Sequence, residues 1–127
     1  MAFNYAAAYQ NNKVQTATKG ELTLMLYDAG IKFVNKAILA IEKKDIQSAN
    51  NNIKKAEDVI VEFRSTLDHK YAVAHDFDVV YDHMYRRLVE ANIKKDKAIL
   101  EAVLVDFKEM RDIWSQVMKQ ARIQGNK

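Results

Sequence analysis

Residues 46–67 read IQSANNNIKKAEDVIVEFRSTL, and their apolar side chains recur in alternating steps of three and four positions. The members of this stripe are Ile46, Ala49, Ile53, Ala56, Ile60, Phe63 and Leu67. Such spacing places them on one face of an α-helix and is typical of a helix packed in a bundle. Aspartate is a favoured N-cap residue, so we predict a helix that Asp45 caps and that runs to about Asp68.

Three further stretches have helical periodicity. The last carries a stripe with the same spacing: Leu100, Val103, Phe107, Met110, Trp114, Val117 and Ala121. The stretch before it has a shorter stripe: Phe77, Tyr81, Met84, Leu88 and Ala91. We predict that this third helix starts near Asp76, that it is the shortest, and that Asp96 caps the fourth. The first helix is predicted over about 19–44, because Thr18 and Glu21 form a capping box.

The links between these helices are short, which makes successive helices antiparallel neighbours. We therefore predict an all-α fold, an antiparallel up-down four-helix bundle with an N-terminal arm. The predicted divisions are an arm over residues 1–17, a bundle over 18–122 and a loose tail over 123–127. With no proline and three glycines in 127 residues, the chain lacks the turn residues that an all-β sandwich needs.

The residue types exclude most chemistry. Cysteine is absent, which removes disulfides and thiolate metal sites. The three histidines lack the Glu-x-x-His pattern of di-iron bundles. Asp78, Asp82 and His83 are close enough on one helix to touch a metal, but without a second cluster a solvated face is favoured. No nucleophile elbow or phosphate loop occurs, so we predict a non-enzyme without cofactor or metal.

The charges are mixed along the chain. Lysine and arginine number 20 against 17 acidic residues, a net charge of +3. Acidic residues interleave with basic ones, as in 54–58, whereas nucleic-acid binders concentrate base on one face. The longest apolar runs have five residues, too few to span a membrane. We expect a cytoplasmic protein that neither binds nucleic acid nor inserts into a membrane.

The first predicted helix carries two apolar stripes. One consists of Leu22, Leu26, Ala29, Phe33, Ala37 and Ala40. The other consists of Leu24, Tyr27, Ile31, Val34, Ile38 and Ile41. A bundle helix needs one stripe, so the flanking helices, the N-terminal arm or a partner helix must cover the second. Because small residues allow close packing, we predict that the alanine-rich stripe faces the core and that the bulkier stripe meets a partner.

Four blocks of sequence resemble the flagellin export chaperone family, FliS. They are AYQNNKVQTA at 8–17, GELTLMLYD at 20–28, YDHMYRRLVEANIKKD at 81–96 and RDIW at 111–114. The chain departs from the family at Lys19, where proline is usual. It also has Ala29-Gly30 where the family more often places the glycine first, which moves the glycine about 100° round the helix.

The resemblance implies a chaperone that binds the disordered C-terminal segment of flagellin, prevents its premature polymerisation and aids delivery to the flagellar type III export gate. Residues 1–17 alone would be read equally as a frayed arm or a docking arm. The resemblance also implies that they lie over the chaperone's own apolar groove when no flagellin is bound. The predicted partner-binding residues combine the second stripe with positions in the quoted blocks: Tyr9, Gln10, Leu24, Tyr27, Ile31, Val34, Ile38, Tyr81, Tyr85, Arg86, Arg87 and Asn92.

Two other functions stay open from the residues alone. The isoelectric point near 9.0 and the lysine pairs suggest a helical nucleic-acid-binding protein, whose affinity would fall steeply with salt. The second stripe of the first helix also suits a structural bundle that buries this stripe against its own copy. We expect a monomer or weak dimer, which sedimentation at several concentrations would distinguish from a stable oligomer.

Overall fold

Four α-helices make up most of residues 18–125, the part of the chain that the computed structural model describes; its side chains are described to residue 121. They are α1 (Lys19–Glu42), α2 (Ile46–Thr66), α3 (Ala72–Lys94) and α4 (Lys97–Gly125). No strand occurs within residues 18–125. The predicted all-α class is therefore confirmed, while the predicted N-terminal arm lies outside the described residues.

Each helix packs against the next one along the chain, and α4 packs back against α1. The helices therefore form a ring in the order α1, α2, α3, α4. Because the links are short, sequential neighbours run antiparallel. The starts of α1 and α3 consequently lie at the same end of the bundle as the ends of α2 and α4.

The predicted N-caps are confirmed. Thr18 Oγ1 accepts a hydrogen bond from the backbone N–H of Glu21 at 3.1 Å. Asp45 accepts one from the backbone N–H of Ser48, also at 3.1 Å. Asp96 accepts one at 2.9 Å from the amide two positions after it. These side chains satisfy backbone donors that a helix start leaves without an intrahelical acceptor.

Two helix boundaries differ from the prediction. Helix α3 begins at Ala72 rather than near Asp76, and its N-cap residue, Tyr71, makes no side-chain capping bond. No capping residue marks this start, so the sequence held no signal for it. Helix α4 continues to Gly125, past the predicted end of the bundle at residue 122. With 21 residues against 23, α2 is shorter than α3, which reverses the predicted order.

The core consists mainly of the predicted stripes. From α2, α3 and α4 the buried residues on them are Ala49, Ile53, Ala56, Ile60, Phe63, Tyr81, Met84, Leu88, Ala91, Leu100, Val103, Phe107 and Met110. The stripe of α4 leaves the core at its C-terminal end, where Trp114 is half-buried and Val117 is exposed. Ile46, at the start of the α2 stripe, is also exposed.

Helix α1 buries most of its alanine-rich stripe in the core, as predicted, and it also buries two residues of the stripe that was predicted to meet a partner. Phe33, on the alanine-rich stripe, lies under the ammonium group of Lys55 from α2, with 5.7 Å between Nζ and the ring centroid. On the second stripe, Tyr27 is 2% exposed and Val34 is 0% exposed. The helices that flank α1 in the ring, α2 and α4, cover it. The second stripe is therefore not an open groove at these two positions.

Gly30 of α1 faces α4. A Cβ atom built at Gly30 would lie 2.4 Å from Cε1 of Phe107, closer than real carbon atoms approach. Only a residue without a side chain permits the Phe107 ring to lie directly against this helix. The position of the glycine after Ala29 therefore fits the packing of α1 on α4.

Candidate functional site

A cavity of about 680 Å³ opens at the end of the bundle where α1 and α3 begin and α2 and α4 end. We call it the end cavity. All four helices and the connection between α2 and α3 contribute to its wall, among them Leu22, Leu26, Phe63, Leu67, Tyr71, Val73, Phe77, Trp114, Val117 and Met118. Its volume lies in the range of about 300–1,000 Å³ that ligand-binding clefts occupy.

The floor of the end cavity is a cluster of four aromatic rings. The Tyr27 and Phe63 ring centroids are 4.3 Å apart, and those of Phe63 and Tyr81 are 5.1 Å apart. Phe77 stacks on Tyr81 at 6.3 Å. The Tyr27 and Tyr81 hydroxyls form a hydrogen bond with each other, so α1 and α3, which are not neighbours along the chain, meet at this point.

Burial determines the protonation of the two tyrosines. It raises the pKa of Tyr27 above its usual 10.0, and the charge and the hydrogen bond of Tyr81 raise it further. Burial also raises the pKa of Tyr81, against a smaller lowering by the hydrogen bond from Tyr27. A low dielectric disfavours the phenolate, so both hydroxyls are neutral hydrogen-bonding groups at physiological pH.

Large apolar side chains stand exposed at the mouth of the end cavity. Tyr71, Val73 and Val117 are exposed large hydrophobic residues, and all three line the cavity. The polar residues at its edge include Lys19, Glu62 and Asp68. An apolar interior with a mixed polar edge is suited to an apolar partner segment rather than to a charged ligand.

The α2–α3 connection and the first turn of α3, which has no side-chain cap, form one wall of the end cavity. Of the first four residues of α3, only Ala74 is buried. Below this turn, Arg64 of α2 holds α3 through Asp78, with Nε 2.8 Å from Oδ1, and through Asp82, with Nη1 3.3 Å from Oδ1. The hydrogen bond from Arg64 lowers the pKa of Asp78. These two ion pairs therefore hold this part of α3 against α2.

On the opposite wall, α4 fastens the start of α1. The Trp114 indole N–H donates a hydrogen bond to the carbonyl oxygen of Gly20 at 3.0 Å. Met118 packs against the same glycine, with its Cε 3.3 Å from where a Cβ would lie. The sequence predicted Trp114 as part of the core stripe of α4 but did not predict its place in the cavity wall. The available signal was that this apolar stripe continues past the residues that are buried in the core.

Residues 18–125 show no metal centre. This part of the chain contains no group of three histidine, aspartate or glutamate side chains placed to hold a metal ion. Two members of the cluster considered from sequence, Asp78 and Asp82, pair with Arg64 instead. Within the same residues, no helix has the length and hydropathy needed to cross a membrane.

The structure brings two of the predicted partner-binding residues, Tyr27 and Tyr81, together in the end cavity. Tyr9 and Gln10 lie outside the described residues. Along the second stripe of α1, three residues are half-buried: Leu24, Ile31 and Ile38. Val34 is fully enclosed. A partner reaches Val34 only if the packing of α1 changes, and contact of the other three residues with a partner stays a prediction.

The remaining predicted residues, on the second half of α3, make contacts within the bundle. Tyr85 packs against the core, and Arg86 pairs with Asp82 at 3.0 Å. The Asn92 amide donates to Asn50 Oδ1 of α2 at 2.8 Å. Arg87 is half-buried, and its Nε is enclosed without a hydrogen-bond acceptor among the described residues. None of these four residues lines the end cavity, and their contact with a partner stays a prediction.

Comparisons with known proteins identify relatives over nearly the whole chain. A family model described as flagellar protein FliS matches residues 1–121. A relative from Bacillus subtilis, named flagellar secretion chaperone FliS, is 44% identical over 119 residues, covering 94% of this chain and 90% of the relative. One of the same name from Salmonella typhimurium is 26% identical over 126 residues, covering 97% of this chain and 93% of the relative.

A solved structure has the same fold. It is described as a crystal structure of a flagellar chaperone from bacteria, and its TM-score is 0.75 over 94% of this chain and 99% of that one. At 13% sequence identity, this likeness concerns the fold alone.

Proposed function

The chain belongs to the FliS family of flagellar secretion chaperones, and we propose that it is a cytoplasmic export chaperone that binds the disordered C-terminal segment of flagellin in the end cavity. Membership makes it a chaperone of flagellar biogenesis rather than an enzyme. The single observation that carries the proposed binding site is the end cavity, with its aromatic floor and its exposed apolar mouth.

The physical demands on such a chaperone fit this cavity. A disordered segment loses conformational entropy when it orders on a partner, which costs about 2–5 kcal/mol or more and keeps binding reversible. Apolar side chains that enter the cavity offset this cost by leaving water. While it is held, the segment is unavailable for polymerisation with other flagellin chains. The chaperone then presents the bound segment to the flagellar type III export gate, where it is released.

The N-terminal arm is proposed to cover the end cavity when no flagellin is bound. Helix α1 starts at Lys19, and both Lys19 and Gly20 line the cavity, so the first described helix begins at the cavity's edge. They include the apolar aromatic groups of Phe3, Tyr5 and Tyr9. A cover is needed because large uncovered apolar patches promote aggregation. Because this cover would keep apolar surface away from other copies of the chain, it also favours a monomer or weak dimer over a larger assembly.

Deletion of residues 1–17 tests this cover. We expect the shortened chain to keep a cooperative melt, to bind more of a dye specific for apolar surface, and to bind flagellin at least as well as the full chain. Unchanged dye binding and unchanged flagellin binding would contradict the proposed cover.

Charged substitutions at the cavity mouth test the proposed binding site. Val73 and Val117 are 53% and 47% exposed and line the cavity, so Val73→Glu and Val117→Glu leave the core intact. Docking would bury each new carboxylate without a partner, which is costly. We expect affinity for flagellin to fall by more than about tenfold, since each 1.4 kcal/mol is a factor of ten.

Matched controls lie on the same two helices. Val79 of α3 and Val105 of α4 are 55% and 52% exposed but do not line the cavity. Val79→Glu and Val105→Glu should bind flagellin like the wild type, and flagellin without its C-terminal segment should bind none of the proteins. Equal affinities for the mouth and control variants would reject the end cavity as the site.

A further inference from the structure

One arginine of the described bundle has no bonding partner there. Arg64, Arg86 and Arg111 each form an ion pair with an aspartate. Arg87 of α3 forms neither an ion pair nor a hydrogen bond among residues 18–121, although it is half-buried and its Nε is enclosed. A buried donor without an acceptor lowers stability, so proteins keep one mainly where it serves a function. The guanidinium group of Arg87 is therefore free to bond with a partner.

Asp106 of α4 faces Arg87 across the seam between the two helices. Burial raises the pKa of Asp106, and so does the charge of Glu109, whereas the charges of His83 and Arg87 lower it. Both groups of α3 therefore lie near this carboxylate. No ion pair joins Asp106 to either of them, and within residues 18–121 its carboxylate accepts no hydrogen bond. The seam thus holds a half-buried donor and a half-buried acceptor that are not bonded to each other.

On α3 an apolar face joins Arg87 to the end cavity. Val73, Val80 and Arg87 lie seven positions apart, so they share one face of the helix. Val73 is exposed and lines the cavity mouth, and Val80 is half-buried. At 1.5 Å per residue, the distance along α3 from Val73 to Arg87 is about 21 Å. This face therefore runs from the cavity to the unbonded arginine.

Helix α4 supplies a matching face. Ile113 and Val117 follow Asp106 by seven and eleven positions, which places all three on one side of α4. Val117 lines the cavity mouth, and Ile113 and Val117 are 49% and 47% exposed. Because α3 and α4 run antiparallel, the valines at the mouth mark the cavity end of the seam, and the charged groups mark its far end. We call these two faces, Val73 to Arg87 and Val117 to Asp106, the seam strip.

We propose that the flagellin segment docked in the end cavity continues along the seam strip and places an uncharged amide group between Arg87 and Asp106. This inference rests on the function proposed above and extends its site. The occupant follows from continuity, because the valines at the mouth belong to both the cavity and the strip. An amide oxygen accepts from a guanidinium, and an amide N–H donates to a carboxylate. A carboxylate in this place would instead be repelled by Asp106 and Glu109.

Substitution of Arg87 tests the proposal on the full-length chain. Affinity for a flagellin C-terminal peptide would be measured by calorimetry for Arg87→Met and for Arg86→Met. We expect Arg87→Met to weaken binding about tenfold, since the amide oxygen would lose a charged donor. Arg86 is 79% exposed and pairs with Asp82 of its own helix. Although the sequence predicted both arginines to contact a partner, Arg86→Met should weaken binding less than about threefold.

The melting temperature of the free chain separates this role from a structural one. Arg87 makes no bond in the free chain, so Arg87→Met should melt no lower than the wild type. A structural arginine would lower the melting temperature and the affinity together. The proposal is overturned if Arg87→Met binds with unchanged affinity, if its loss of affinity follows a matching loss of stability, or if Arg86→Met loses as much affinity.

Salt dependence identifies the chemistry of the bound group. Attraction between charges weakens with ionic strength, whereas a hydrogen bond to a neutral amide changes little. The affinity ratio of wild type to Arg87→Met should therefore be equal at low and at high salt. A ratio that falls towards one at high salt would indicate a carboxylate and overturn the amide. Replacing each asparagine and glutamine of the peptide by alanine distinguishes a side-chain amide, which one replacement removes, from a main-chain amide, which none removes.

A charge in the middle of the seam strip tests the path and separates it from the proposed site. Ile113 does not line the end cavity, and Ile113→Glu should weaken binding more than about tenfold, because docking would bury its carboxylate. Val105→Glu, on an exposed position of the same helix, is the control. If Val73→Glu and Val117→Glu abolish binding while Ile113→Glu and Arg87→Met do not, the site stands and the path is rejected. If none of the four changes the affinity, both proposals are rejected.

Discussion

The two ends of the bundle use the same helical pattern with side chains of different size. At the end that holds the α1–α2 and α3–α4 links, the buried positions include Ala37, Ala40, Ala49 and Ala91. At the other end the corresponding positions hold the large side chains Tyr27, Phe63, Phe77, Tyr81 and Trp114. Helix separation depends on the side chains at the contact. Small residues let the helices close together, whereas large ones hold them apart and leave a cavity.

The connections between the helices also differ between the two ends of the bundle. At the alanine-rich end, Lys95 takes a left-handed conformation with a φ of 49°, and its ammonium group donates to the Asn92 carbonyl oxygen at 2.6 Å. Asn92 in turn bonds to Asn50 across the α2–α3 seam. At the cavity end, the α2–α3 connection is longer, and α3 starts without a side-chain cap. Tight links therefore close one end, and a looser link leaves the other open.

The largest expected effect concerns the closed part of the bundle. In Val34→Asp a carboxylate would replace a fully enclosed side chain of α1. An unpaired buried charge costs several kcal/mol, a large share of a typical stability of about 5–15 kcal/mol. We expect this variant to lose its cooperative melt in circular dichroism. Leu39→Asp, on an exposed position of the same helix, is the control and should melt like the wild type.

The two glycines of α1 should respond in opposite directions. Gly30→Ala forces a methyl group against the Phe107 ring, and overpacking of this kind costs about 1–3 kcal/mol. Gly20→Ala meets only the flexible end of Met118, so the gain in helix propensity, about 0.5–1 kcal/mol, should dominate. Chemical denaturation measures both. A Gly30→Ala variant as stable as the wild type would show that α1 and α4 are less closely packed than described.

A smaller effect is expected from alkaline pH. Folding raises the pKa of Tyr27 and Tyr81 above the unfolded value of 10.0. Above that pH the unfolded chain loses these two protons while the folded chain keeps them, so the free energy of unfolding falls as pH rises. The fall should be less steep in the double variant Tyr27→Phe/Tyr81→Phe. Identical pH profiles above pH 10 would contradict the burial of the two phenols.

The sequence predicted the elements of the fold because each was marked locally. Asp45 and Asp96 identified two helix starts, and the steps of three and four residues identified the core of α2 and α4. The start of α3 was misplaced because Tyr71 provides no capping side chain. Periodicity also shows which face of a helix is apolar but not which neighbour covers it. For this reason Val34 was predicted to contact a partner, whereas the neighbouring helices of the bundle bury it.

The site was less predictable than the fold. Tyr27 and Tyr81 were predicted to bind a partner, and they lie in the end cavity, but the cavity depends on residues far apart in sequence. Trp114, Val117 and Val73 meet only when the bundle forms. Trp114 and Val117 lie at the end of an otherwise buried stripe, and this position became informative only once the length of α4 was known.

The central claim is that the flagellin C-terminal segment occupies the end cavity, and Trp114 reports on it directly. It is the single tryptophan of the chain and lies in the cavity wall. The measurement is Trp114 fluorescence, with acrylamide quenching, during titration with a flagellin C-terminal peptide that contains no tryptophan. The account predicts a blue shift and protection from quenching that saturate with the calorimetric binding curve. Complex formation with unchanged Trp114 emission and unchanged quenching would contradict it.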